Sequence, residues 1–280
     1  MSSADFKQWI EEIVSFHQLM METHFLNSLP VYFIPSKHLA LIYVQLTNSD
    51  QSVSIPDLLP EESDKNQRVI VIWEDQWITQ KELIQSRIQS ILGITKRIHG
   101  RATKVKRIDK NLLNSFLANN HLNVITTAKF KYGLFYKDEL VAVASFSSGR
   151  LMKTRGENYR SYELIRFANL RGNTVVGGLS KLLKQFIEEI NPGDIMTYAD
   201  REWSQGMGYE KLGFICEGIT PAQQFWLKEG EWIRYYTHKL PVELLRQKNS
   251  DETEQAFLNR LGYVQIQNAG NYKYRLTLQK

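Results

Sequence analysis

The chain has 280 residues, 42% of them hydrophobic and 23% charged, with 35 basic side chains against 30 acidic ones and a formal net charge of +5. That length suits two domains better than one core, and the composition excludes a disordered or collagen-like chain. The single cysteine, Cys216, excludes an internal disulfide framework. No apolar run approaches the roughly 18 residues of a membrane span. The opening Met1-Ser2-Ser3-Ala4-Asp5-Phe6 lacks the layout of a signal peptide, so a cytoplasmic protein with no membrane partner is expected. The mild basic excess is compatible with anionic partners.

Residues 5–26 place Phe6, Ile10, Ile13, Val14 and Leu19 at helical spacing, which predicts one helix ending before Pro30. Residues 31–34 and 39–44 read as strands joined by Pro35-Ser36-Lys37-His38. The polar stretch 47–66, with Pro56 and Pro60, reads as a loop, and the β-branched run 68–73 as a buried strand. Thr79 and Glu82 have capping-box spacing and predict a helix from there to about Leu92, stopping near Gly93.

A second unit begins near residue 101, with a strand over 103–108 and a helix face of Leu112, Leu113, Phe116 and Leu117. Residues 132–136 and 140–146 flank Lys137-Asp138-Glu139 as a hairpin. The stretch 162–214 then reads as strand, glycine turn, amphipathic helix, strand, short helix and a second strand entry. Residues 224–227 and 232–238 predict another hairpin. A leucine helix at 241–247, a helix around 252–261 and strands at 262–266 and 271–276 follow.

Two glycines opening a helix let a backbone approach an anion, because free N–H groups and the positive helix end face it there. The candidate binding residues are Val176, Gly177, Gly178, Leu179, Ser180 and Lys181. Close helix–strand packing is the competing explanation for the glycine pair. Tyr209, at the head of the run to Phe214, fits a packed core tyrosine. Glu163, on the strand before the turn, is a candidate base for an amine, or one half of a structural ion pair. Simple alternation puts Arg166 on the opposite face from Glu163.

The series Tyr162–Phe167, Val175-Val176-Gly177-Gly178, 195–199 and Tyr209-Glu210-Lys211-Leu212-Gly213-Phe214 resembles the acyl-CoA-binding half of GNAT-type N-acyltransferases. That resemblance implies binding of acetyl-CoA or another acyl-CoA between two splayed strands, acyl transfer to an amine, and Tyr209 as the acid that protonates the departing thiolate. Two positions depart from the family's turn: Thr174 stands for a basic or amide residue, and Leu179 for a small one. The wider set of Ile72–Trp77, Ser86-Arg87-Ile88, Tyr198-Ala199-Asp200-Arg201, Trp203-Ser204 and Asn268–Tyr272 resembles proteins related to phage and bacterial homing endonucleases, in which a PD-(D/E)XK-like unit precedes the GNAT-like one. The positions corresponding to that nuclease's metal-binding acids are Val31 and Ile42, so the resemblance implies an inactive nuclease unit and no metal.

The fold class expected is α+β: an N-terminal α/β nuclease-like unit at 1–100, a GNAT-like mixed sheet with flanking helices at 101–240, and a helix-and-strand extension at 241–280. The alternative function is a non-catalytic DNA-binding protein using the basic run 96–110. A lesser one is a nuclease still active through Glu74 and Asp75. Cys216 reads as a buried structural thiol.

Overall fold

The computed structural model describes residues 2–46, 55–59, 67–123 and 126–278. In chain order the first elements are α1 (Ser2–Phe16), β1 (Glu22–Leu26), β2 (Leu29–Ile34), β3 (Leu39–Val44), β4 (Arg68–Trp73), α2 (Glu74–Leu92), β5 (Lys96–His99), β6 (Lys104–Arg107), α3 (Lys110–Asn120), β7 (Phe130–Tyr136), β8 (Glu139–Phe146) and β9 (Arg150–Leu151). They are followed by β10 (Arg160–Asn169), β11 (Asn173–Val176), α4 (Gly178–Ile190), β12 (Asp194–Asp200), α5 (Met207–Glu210), β13 (Ile215–Ile219), β14 (Gln224–Lys228), β15 (Tyr235–Tyr236), α6 (Val242–Leu245), α7 (Glu254–Arg260), β16 (Tyr263–Gln267) and β17 (Asn271–Thr277). Most of the expected loop at 47–66 lies outside the described residues; Ile55–Leu58 forms a 3-10 turn.

The chain forms two units that interleave in sequence. One holds Met1–Thr79, Asp200–Gln205 and Ile219–Asn271, the other Gln80–Ala199, Gly206–Gly218 and Tyr272–Lys280. The expected cuts at 100/101 and 240/241 therefore fall elsewhere. The change of unit comes inside α2, where Gln80 leaves helical geometry (φ −137°, ψ 34°). The segment 241–280 is not an appendage, because β16 pairs with β14 and β17 lies between β12 and β13.

The first unit contains a four-stranded sheet, β1-β2-β3-β4, and a three-stranded one, β15-β14-β16. All six side chains of β3 are buried, as expected for a strand covered on both faces. Ala40, Ile42, Val44, Val71 and Trp73 pack with Phe225, Leu227 and Ile266 into one core. Residues 22–26, expected to be helical, instead form β1, paired antiparallel with β2. Asn27 and Ser28 both take positive φ (48° and 67°), the backbone of a tight two-residue hairpin turn. Thr79 is not a helix cap: its hydroxyl donates to the Asp75 carbonyl at 2.6 Å, one turn back inside α2.

A charged cluster is buried in this unit. Arg234 grips Asp75 with Nε (2.6 Å) and Nη2 (2.8 Å). Glu202 accepts from Trp73 Nε1 and from the Ala269 amide, both at 3.1 Å. Burial, reinforced by the charge of Asp200 and only partly offset by Arg234 and the two donors, pushes the Glu202 carboxyl up to about 8.

The second unit is built on a mixed sheet in the order β13-β17-β12-β10-β8-β7-β6, with β9 on the edge of β10 and a separate parallel pair β5–β11. Lys137 and Asp138 (φ 49° and 65°) close the β7–β8 hairpin as expected. Helix α4 places Leu182, Leu183 and Phe186 against Tyr132, Ala144, Phe146, Tyr162 and Leu164. Helix α3 places Leu113, Phe116 and Leu117 against Val143 and Ala168. The two helices thus cover opposite faces of one sheet.

Candidate functional site

The site is set by where two neighbouring strands stop pairing. β10 and β12 run parallel and are in register only from Ser161↔Asp194 to Glu163↔Met196. Beyond that point β10 continues to Asn169 and β12 to Asp200 without further pairs. At the fork, Thr197 Oγ1 donates to the Leu164 carbonyl at 2.9 Å. That uses the hydroxyl's one proton, and the Thr197 side chain lies close enough to the Tyr209 phenol to act on its pKa.

Tyr209 is held by its own short helix. Its amide donates to the Gly206 carbonyl (2.8 Å), and its ring lies 5.6 Å from both Phe214 and Tyr274. Gly206 is in the left-handed region (φ 77°), and a Cβ there would sit 1.8 Å from the Tyr274 hydroxyl, so no other residue fits this entry. Burial raises the pKa of Tyr209, while Thr197 and the charge of Arg87 pull it back. The phenol therefore keeps its proton through the neutral range.

Glu163 is the last residue of β10 to pair with β12, and burial raises its carboxyl pKa. A bulge between Leu164 and Arg166 overturns the expected separation of Glu163 and Arg166. Leu164 faces Phe146, yet Arg166 faces Ser145, so Ile165 is an extra residue and the alternation resets. Tyr162, Leu164 and Phe167 accordingly line the α4 face, while Ala168 lies on the α3 face. Arg166 joins Glu163 on the α3 side, where its charge opposes the effect of burial on the carboxyl.

Two further residues belong to this neighbourhood. His121 caps the C-terminus of α3, and its Nδ1 accepts the Asn123 amide at 3.0 Å. Burial, then the charges of Arg87 and Arg166, lower its pKa to about 3. It is a neutral imidazole with its proton on Nε2. Arg87 comes from the second half of α2, whose Ser86 Oγ accepts the Gly172 amide at 2.9 Å and whose Glu82 pairs with Arg171. Arg87 lies in the Ser86-Arg87-Ile88 segment, and His121 carries no motif.

The glycine turn follows β11. Gly177 is the N-cap of α4 with φ 73°, and a Cβ there would meet nothing within 4 Å. Gly178 is packed, since a Cβ would lie 3.0–3.2 Å from Val175 and Leu134. Gly178 thus fits the close-packing explanation, and Gly177 leaves its side-chain direction open. Leu179 turns toward the core rather than over the turn, and Ser180 is exposed. Thr174 bonds to the hydroxyls of Ser90 (2.8 Å) and Thr95 (2.7 Å). Lys181 Nζ donates to the carbonyls of Gly100 (3.0 Å) and Thr103, so two of its three donors fasten the turn at 100–103. Val176 pairs with His99.

In the first unit Val31 and Ile42 lie directly opposite each other on β2 and β3, and neither offers an oxygen ligand. Glu74 accepts the Leu46 amide at 2.8 Å and the Ser2 hydroxyl, and Asp75 is engaged by Arg234. Among the described residues no group of three His, Cys, Asp or Glu side chains could hold a metal ion. Cys216 is exposed, not buried as expected; it sits on β13, all five of whose residues are exposed. No described helix is long and apolar enough to cross a membrane.

No family model and no curated protein matches this chain. Solved structures do. A Corynebacterium glutamicum protein described as histone acetyltransferase HPA2 and related acetyltransferase aligns at 12% identity over 64% of this chain and 98% of that one, with a TM-score of 0.38. A Bacillus subtilis acetyltransferase in complex with CoA aligns at 14% identity over 63% and 99%, with a TM-score of 0.33. The ribosomal-protein-S18-alanine N-acetyltransferase of Escherichia coli aligns at 9% identity over 64% and 95%, with a TM-score of 0.37. These likenesses are of outline, and the functional reading rests on the residues of this chain.

Proposed function

We propose that the second unit is a GNAT-like N-acyltransferase that moves an acyl group from CoA to an amine. The observation that carries the reading is the fork between β10 and β12, where Thr197 ties the strands at the Leu164 carbonyl and its side chain acts on the Tyr209 phenol. Unpaired strand edges can hold an extended amide-bearing chain such as pantetheine. The open space at Gly177 and the first amides of α4 suit a diphosphate, and Leu179, packed on the core, does not crowd it. An acyl-CoA would supply the activated thioester. Tyr209 keeps a proton at its hydroxyl for the departing sulfur, and Glu163 takes one from the attacking amine, directly or through water.

The test is thermal unfolding of the full chain with acetyl-CoA. A ligand specific to the folded state raises the midpoint by mass action. A rise that is lost on Gly177→Val is expected, and no rise at millimolar acetyl-CoA would overturn the reading.

A second reading has its own observation. Lys96, Arg97, Arg101 and Lys104 on β5, β6 and the turn between them, and Lys110 at the start of α3, are exposed, and none has an acidic partner among the described residues. Such a strip suits a nucleic-acid backbone. A duplex mobility shift that weakens steeply with salt would support DNA binding, and an unshifted duplex at low salt would remove it.

A further inference from the structure

The strand that pairs with β11 brings bare positive charge to the glycine turn. β5 runs parallel to β11, with Arg97 opposite Thr174, Ile98 opposite Val175 and His99 opposite Val176. Ile98 and Val175 are buried in one core, so by alternation Arg97 and His99 lie on the other face of the pair, where both are exposed. β5 leads directly into the 3-10 turn Gly100–Ala102, and that turn abuts the glycine turn. A Cβ at Gly100 would lie 3.0 Å from the Val176 carbonyl oxygen and 3.2 Å from that of Gly177. Lys181, on the first turn of α4, fastens this contact by donating to the Gly100 carbonyl at 3.0 Å and to the Thr103 carbonyl. Arg101 is exposed on the fastened turn.

No Asp or Glu occurs in 83–108 or in 164–187, the two stretches that meet here. Arg97, His99 and Arg101 have no acidic partner among the described residues. Neither has Lys181, whose two acceptors are neutral carbonyls. Further along the same stretches the arginines are paired, Arg107 with Glu189 and Arg171 with Glu82. A phosphomonoester carries close to two negative charges and three acceptor oxygens. It matches a compact set of guanidinium donors better than a backbone diester does, with its single charge.

We propose that Arg97, His99 and Arg101 form a phosphomonoester site beside the glycine turn, which takes the 3′-phosphate on the ribose of CoA. Lys181 is a positioning residue for it, since it holds the turn that carries Arg101. The identity of the nucleotide rests on the acyltransferase reading, which seats the diphosphate at the glycine turn, but the site itself can be tested without turnover.

The experiment is calorimetric titration of the full chain with two matched pairs: CoA and 3′-dephospho-CoA, and adenosine 3′,5′-bisphosphate and adenosine 5′-monophosphate. In at least one pair the member with the 3′-phosphate should bind about tenfold more tightly. That margin should shrink to about twofold in the double variant Arg97→Gln/Arg101→Gln, with affinity for the partner lacking the 3′-phosphate within about twofold of the parent. Lys110→Gln, which removes an exposed base at the start of α3, should keep the margin. No margin in either pair, a margin that persists in the double variant, or one that falls as far in Lys110→Gln, overturns the site. A short DNA duplex added as competitor should leave the margin in place; displacement of the tighter ligand by the duplex assigns the strip to nucleic acid and overturns the site as well. Binding of 3′-dephospho-CoA without a margin removes the phosphate site alone. A margin in the adenosine pair with neither form of CoA bound removes the acyltransferase reading and keeps the phosphate site.

Discussion

Thr197 Oγ1 donates to the Leu164 carbonyl at 2.9 Å, across the point where β10 and β12 separate, and so ties the strands where their ladder ends. The same side chain acts on the Tyr209 phenol. Thr197→Val keeps the shape, removes the bond to Leu164 and takes the hydroxyl away from the phenol. A stability loss of about 1 kcal/mol is expected, together with a roughly tenfold fall in acyl transfer as the phenol loses its orientation. Urea unfolding and initial rates on the same preparation check this.

Tyr209→Phe keeps the ring against Phe214 and Tyr274 and deletes the proposed acid. The expected result is a fall in kcat of about a hundredfold, with acetyl-CoA affinity within about twofold of the parent. Single-turnover kinetics and a binding titration distinguish this from loss of the fold.

Glu163 must be ionised to accept a proton, and burial raises its pKa above the ordinary carboxylate range. The rate should therefore climb with pH through that raised value and then level off. In Glu163→Gln the climb should be absent and the plateau lower by about a hundredfold. A pH–rate profile of kcat/KM measures both.

Glu202 gives a separate pH dependence, in stability. Its carboxyl, ordinarily near 4.5, is pushed up to about 8 in the fold. Between those values the folded chain holds a proton that the unfolded chain has released, so stability falls as pH rises from about 4.5 to about 8 and changes no further above that. Glu202→Gln should flatten this fall. Urea midpoints at pH 6 and pH 9 would show it.

Arg234→Ala leaves Asp75 buried at 6% side-chain exposure without its main partner. The expected cost is about 3–5 kcal/mol, measured by denaturant unfolding. Arg234→Lys should recover part of it, less than a paired fork because ammonium cannot match two carboxylate oxygens.

Much of the second unit was legible because its signals are local. The Lys137-Asp138 turn, the glycine pair and the Leu182–Phe186 face are all readable within one or two turns of chain. The misreadings came where a non-local or backbone event decided. Residues 22–26 looked like the end of a helix because Asn27-Ser28 is an unusual sequence for a tight hairpin turn. The relation of Glu163 to Arg166 depended on one inserted residue in the ladder, which no alternation rule predicts. Lys181 looked available to an anion, but the carbonyls that hold it come from about eighty positions earlier, at Gly100 and Thr103.

The place of β17 in the larger sheet has a consequence for biosynthesis. It lies between β12 and β13 yet leaves the ribosome after both of them. Until it emerges, each of those strands presents a bare edge on the nascent chain, the kind of surface that recruits chaperones or joins another polypeptide. A truncation that stops before Asn271 should accumulate as aggregate, even though it retains Glu163, Thr197 and Tyr209.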